Sequence, residues 1–117
     1  MQAITNQSTL TWTTVCALND ILPNTGVCAL VDDQQVAIFR VGADLYAIAN
    51  YDPFSNAYVL SRGIVGDRNG IPKVASPIYK QNFNLATGEC LANAEVRVPT
   101  FSVRVMDQQV QVGSIQL

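Results

Sequence analysis

From Phe101 to Val112 apolar and polar side chains take turns. Phe101, Val103 and Val105 alternate with Ser102 and Arg104, Val110 and Val112 alternate with Gln109 and Gln111, and Asp107-Gln108 separates the two runs. A period of two places successive side chains on opposite faces of an extended chain, and a polar dipeptide between two such runs predicts an antiparallel hairpin. The same pattern recurs earlier. Val27 to Val31 and Gln35 to Val41 are apolar, β-branched runs separated by Asp32-Asp33-Gln34. Gly42-Ala43 then turns the chain into Asp44 to Ala49, which puts Leu45, Ala47 and Ala49 on one face and Tyr46 and Ile48 on the other. Three strands joined by tight turns make a meander. No window carries a long amphipathic helix; Leu18 to Leu22 and Asn56 to Ser61 are the best candidates for single turns. The expected fold class is all-β, an antiparallel β-sandwich or small barrel.

A chain of 117 residues, 49% apolar and 14% charged, has the size and composition of one folded domain. Residues 1–10 are polar and aperiodic and are expected to form a flexible N-terminal tail. Residues 11–117 are expected to form the single domain, opening with a strand over Thr11 to Cys16 and a loop over Leu18 to Gly26. The net charge of −2 gives no general footprint for nucleic acid or anionic lipid. No apolar stretch is long enough to span a membrane, and the N-terminal residues lack the basic and apolar regions of a signal peptide. A soluble, cytoplasmic protein is expected.

The chain contains no histidine. Ser-His-Asp and Cys-His nucleophilic systems are therefore excluded, as is a histidine acid or base titrating near neutral pH. The three cysteines, Cys16, Cys28 and Cys90, are widely spaced and form no Cys-x-x-Cys, which argues against a disulfide framework or a zinc site. Cys16 and Cys28 lie in apolar runs, and all three are expected to be buried and unreactive. No catalytic, cofactor-binding or metal-binding residue is assigned, and a free-standing enzyme is not expected.

Between the meander and the final hairpin, Asn50 to Leu91 has a different texture. It holds Pro53, Pro72 and Pro77 of the five prolines and four of the seven glycines, and it reads as a long, turn-rich insertion of the kind that carries function. Gly63, Gly66 and Gly70 lack the flanking pattern of a phosphate-binding loop and are expected to be turn residues, with no nucleotide site. Two proline-bearing loops stand out, Asp52-Pro53-Phe54 and Ser76-Pro77-Ile78-Tyr79, followed by Phe83-Asn84-Leu85-Ala86-Thr87-Gly88. This arrangement resembles the Rieske iron-sulfur domain, with its Cys-Pro-His and Cys-Pro-x-His loops and a Phe-Asp-x-x-Thr-Gly stretch. In that register the ligand positions fall on Asp52, Phe54, Ser76 and Tyr79. A Rieske centre takes two thiolates and two imidazoles, and none of these four side chains is either. The resemblance thus implies a Rieske-like fold of the ISP type with a two-loop insertion and degenerate cluster positions. Phe54 and Tyr79 are expected to fill the space of the cluster and to bridge the loops by aromatic packing.

The run Asp52-Pro53-Phe54-Ser55, the stretch Val59-Leu60-Ser61-Arg62-Gly63, Ser76-Pro77 and Phe83-Asn84-Leu85-x-Thr-Gly together resemble the small subunit of assimilatory NAD(P)H-dependent nitrite reductase. The resemblance also takes in the opening strand from Trp12 and the closing hairpin, about residues 11 to 113. It implies a partner, the large subunit, which carries FAD, an iron-sulfur cluster and sirohaem and reduces nitrite to ammonium. This chain would hold no cofactor of its own and would act as an accessory subunit in nitrate assimilation. Two other readings stay open: a stand-alone, cluster-free binding module of another redox complex, and a true iron-sulfur carrier, which visible absorbance from the isolated chain would reveal.

By residue type Asp52 reads as a solvated carboxylate capping the turn at Pro53, or as part of a docking tip. Ser76 reads as a turn residue whose hydroxyl has no base to activate it. Arg62, Arg68, Lys73 and Lys80 fall between positions 60 and 81 against one acid, Asp67. They are the candidate partner-docking residues, on a basic segment of an acidic chain.

Overall fold

The computed structural model describes residues 9–116. Its first sheet has six strands: β1 (Thr9–Ala17), β2 (Thr25–Val31), β3 (Gln34–Val41), β4 (Asp44–Ala49), β12 (Thr100–Met106) and β13 (Gln109–Gln116). They lie in the order β1-β13-β12-β4-β3-β2, every pairing antiparallel. The meander and the closing hairpin are thus both present. Asp32 and Asp33 have φ of 49° and 63°, and Asp107 and Gln108 of 52° and 67°. Two consecutive positive φ values characterise the hairpin turn whose twist matches that of the flanking strands. Strand β1 begins at Thr9, so pairing with β13 extends into two residues expected to belong to the tail; residues 1–8 of that tail lie outside the described residues. Strand β2 begins at Thr25, two residues before its apolar run, because Thr25 and Gly26 pair with Arg40 and Phe39. Leu18–Asp20 forms a short 3-10 turn, and the second such turn is Leu60–Arg62, later than expected.

The insertion is more regular than its sequence suggests. After a two-stranded ribbon, β5 (Tyr51–Asp52) with β6 (Ala57–Tyr58), the chain builds a second sheet. This sheet comprises β7 (Ile64–Arg68), β8 (Ile71–Ala75), β9 (Asn82–Asn84), β10 (Glu89–Cys90) and β11 (Asn93–Arg97), in the order β11-β10-β9-β8-β7. Of the three loop glycines, Gly70 sits in the Asn69-Gly70 turn with φ of 85° and Gly66 lies within β7. Gly63 is needed for close approach, since a Cβ there would stand 2.3 Å from the carbonyl oxygen of Ala75.

Strand β3 joins two cores. Val36 and Ile38 face a cluster with Ile21, Val31, Val110 and Val112, while Ala37 and Phe39 face another with Leu60, Val74, Phe83 and Leu85. A strand covered on both faces reads as a continuous apolar run, and Val36 to Phe39 does so. Strand β4 divides likewise, Leu45 and Ala47 to the first cluster and Tyr46 and Ile48 to the second. Ala49 was expected beside Ala47 but packs on the second cluster, where the strand ends and the chain turns into Asn50. The second sheet therefore lies over the face of the first that Phe39 and Ile48 present. Burying one such Phe or Ile contributes about 1.5–3 kcal/mol. Toward the β1 side of the first sheet, the guanidinium of half-buried Arg104 sits 4.0 Å over the ring of Trp12.

Candidate functional site

The first loop hangs from the β5–β6 ribbon, in which Tyr51 pairs with Tyr58 and Asp52 with Ala57. The two tyrosine rings lie 5.1 Å apart, and Tyr51 donates its hydroxyl hydrogen to Asn56 Oδ1. Asp52 closes the turn from within: its Oδ1 accepts from the amide of Phe54 at 2.9 Å, and its carbonyl accepts from the amide of Asn56 at 2.8 Å. The second loop is a turn between β8 and β9, in which Ser76 N–H donates to the carbonyl of Gln81 at 2.9 Å and Lys80 N–H to that of Ser76 at 3.0 Å.

One hydrogen bond joins the loops. Ser76 Oγ donates to Asp52 Oδ2 across 2.5 Å, with Asp52 0% and Ser76 1% exposed. The expectation of a solvated Asp52 is therefore corrected: it caps its turn, but as a buried group tied to the other loop. The hydroxyl of Ser76, expected only to shape a turn, supplies the tie and also accepts weakly from Ile78 N–H at 3.4 Å. A buried carboxylate needs such partners, because removing one leaves a desolvation cost of several kcal/mol in an extreme case and about 1–3 kcal/mol typically.

The expected aromatic bridge is also corrected. The ring of Phe54 meets that of Phe83 at 6.1 Å, inside the second core, whereas Tyr79 is 63% exposed. Phe54 fills space below its loop and Tyr79 points away. The tie between the loops is polar.

Of the candidate docking residues, the second sheet brings only some together. Ile64 pairs with Ala75 at one end of the β7–β8 hairpin and Arg68 with Ile71 at the other. Arg62 and Lys80, both exposed, belong to the loop end; Arg68 belongs to the far tip; Lys73 is half-buried and donates to Asn82 Oδ1 at 2.8 Å.

Asn50, which the sequence marks only as a boundary, organises the approach to the first loop. Its side chain donates to Gln35 Oε1 at 3.1 Å and Cys28 Sγ at 3.5 Å, and accepts from Ser61 N–H at 2.6 Å; its backbone bonds Gln35 and Leu60. Such a residue is visible only in three dimensions. The cysteines differ from expectation. Cys90 is buried, Cys16 is half-buried and Cys28 is exposed, because the side of edge strand β2 that carries it is only partly covered. Desolvation pushes the Cys16 thiol up, helped by Asp20; it pushes the Cys28 thiol up too, against the opposing charge of Arg62.

The residues at the four degenerate positions do not fit a [2Fe-2S] group. Phe54 offers no donor atom, Asp52 and Ser76 are bonded to each other, and the chain has no imidazole to supply. Among the described residues no group of three or more Cys, Asp or Glu side chains could hold a metal ion, and no helix is long and apolar enough to cross a membrane.

Two antiparallel sheets, with one loop on the β5–β6 ribbon and its companion on the second sheet, define a Rieske-like domain, and the sequence model of the Rieske-like [2Fe-2S] domain family matches residues 11–113. The nitrite reductase (NADH) small subunit of Escherichia coli K12 is 46% identical over 103 residues, which cover 86% of this chain and 95% of that protein. The solved structure of the E. coli protein NirD superposes with a TM-score of 0.84 at 44% identity, covering 91% of this chain and 98% of that one. The nitrite reductase NAD(P)H large subunit of Klebsiella oxytoca is 41% identical over 106 residues, 91% of this chain but 11% of that one. The chain belongs to the small-subunit family of NAD(P)H nitrite reductases.

Proposed function

We propose that this chain is the accessory subunit of a cytoplasmic NAD(P)H nitrite reductase, supporting the reduction of nitrite to ammonium by a large subunit in nitrate assimilation. The observation that carries this reading is that one domain occurs in two settings, nearly filling a separate small subunit and forming a minor part of a large chain. A unit found both beside and within an enzyme is one that works in contact with it. FAD, an iron-sulfur cluster and sirohaem belong in this reading to the large subunit. The small one works as a single domain without a cluster, its loops held by Asp52 and Ser76 instead, and of the four candidate basic residues Arg62 and Lys80 are the ones offered to the partner, since Arg68 lies at the far tip and Lys73 is engaged with Asn82. Its contribution is structural: it docks and holds the partner in an active arrangement. Affinity capture of the tagged chain from cells grown on nitrate tests this. A large flavin- and sirohaem-containing chain should be recovered at low salt and lost as ionic strength rises, and recovery of only some other redox enzyme would overturn it.

A further inference from the structure

Resting on that reading, we propose that the large subunit docks on the loop end of the second sheet, with Ile64, Ile78 and Tyr79 as the apolar centre of the contact and Arg62 and Lys80 as its basic margin. Ile64 is 76% exposed, Tyr79 63% and Ile78 45%. The strand register sets them at one end of the second sheet. Ile64 opens edge strand β7 directly opposite Ala75, and the turn holding Ile78, Tyr79 and Lys80 begins at the next residue, Ser76. Arg62 lies two residues before Ile64 at the same end.

Large apolar side chains scattered singly over a surface need no explanation, but a group rimmed by charge marks a contact. The turn that presents Ile78 and Tyr79 is also held in shape. Pro77 restricts its backbone, two main-chain hydrogen bonds close it, and the buried Ser76–Asp52 bond anchors it to the first loop. Little order is lost when such a surface binds. Charge selects the occupant. The chain as a whole carries −2, yet this segment is basic. The complementary surface is an apolar recess bordered by carboxylates on the large chain.

An apolar recess elsewhere on the chain, about 390 Å³ and walled by Leu30, Tyr51, Tyr58 and Pro99, is bordered by Asp33 and glutamines and lacks a basic rim. It serves as the comparison surface. The test uses the full large subunit immobilised and the full-length small chain in solution, with each variant's thermal melt recorded to show that it is folded. Ile64→Ser with Tyr79→Ser should weaken binding about tenfold or more, as truncation at a buried contact centre does. Arg62→Glu with Lys80→Glu should also weaken binding and flatten its salt dependence, while Leu30→Ser should bind as the parent does. Parent-like affinity in the loop-end variants, or loss confined to the Leu30 variant, would overturn the assignment of this face. Failure of the parent chain itself to bind would instead remove the accessory-subunit reading, and the docking face with it.

Discussion

Ser76 and Asp52 sit 24 residues apart in the chain, yet the hydroxyl of one donates to the carboxylate of the other across 2.5 Å, out of contact with solvent. In the register proposed from Pro53 and Pro77, these are the two positions at which the Rieske pattern would place its thiolates. Where a cluster would fasten the loops through iron, this chain fastens them through a charge-assisted hydrogen bond, a strong member of its class.

Removing the donor should therefore be costly. Ser76→Ala leaves Asp52 buried with one partner fewer and should lower unfolding free energy by about 1–3 kcal/mol, read from urea denaturation. The amide of Phe54, which also bonds Asp52, should exchange faster with solvent. Parent-like stability and protection would show that the bond does not hold the loops.

Asn50→Ala should destabilise by a similar amount, about 1–3 kcal/mol, because it frees Ser61 N–H and Gln35 Oε1 at once. Loss of protection at Ser61 together with lowered stability is the expected pair of results. Unchanged exchange at Ser61 would contradict the role given to Asn50.

Cys28 offers a pH-dependent probe of where Arg62 lies. Its thiol is raised from 9.0, first by desolvation, with Arg62 opposing. A thiol that titrates higher in the folded chain than in the unfolded one contributes stability that is fully present below the unfolded value. That contribution is lost as pH rises through the folded value. Alkylation of Cys28 should therefore accelerate only in the alkaline range, and Arg62→Gln should move its midpoint further up. A midpoint that falls or stays fixed in that variant would place Arg62 elsewhere.

Arg104→Met should cost about 1–2 kcal/mol by removing both the cation from the face of Trp12 and the Nε–H bond to Gln111 Oε1. Since Trp12 is the single tryptophan, its fluorescence reports the change without interference. An emission spectrum and denaturation midpoint identical to the parent's would show that the contact is not formed.

The first sheet could be read from the sequence because its strands are long enough to alternate and its turns are made of Asp, Gly and Gln at the right offsets. The second could not. Strand β8 reads Ile-Pro-Lys-Val-Ala, β10 is only Glu-Cys, and both Val74 and Cys90 are the sole buried residues of their strands, so no period is long enough to register. The loop positions were legible from Pro53, Pro77 and the Phe83–Gly88 stretch, but the state of their side chains was not. Asp52 is buried against Ser76, Phe54 packs on Phe83 while Tyr79 is exposed, and Cys28 lies on an edge strand. Each of these depends on a partner distant in sequence. Among the basic residues, composition pointed to a segment, and only the register of β7 with β8 separates Arg62 and Lys80 from Arg68.

The most direct test of an accessory subunit that works without a redox centre of its own is a titration of this chain into purified large subunit, following ammonium formed from nitrite with NAD(P)H. Activity should rise and saturate as the chain is added, while the isolated chain shows no visible iron-sulfur absorbance and no activity. Activity that stays flat at every ratio, or a small chain that reduces nitrite or carries a chromophore alone, would contradict the account.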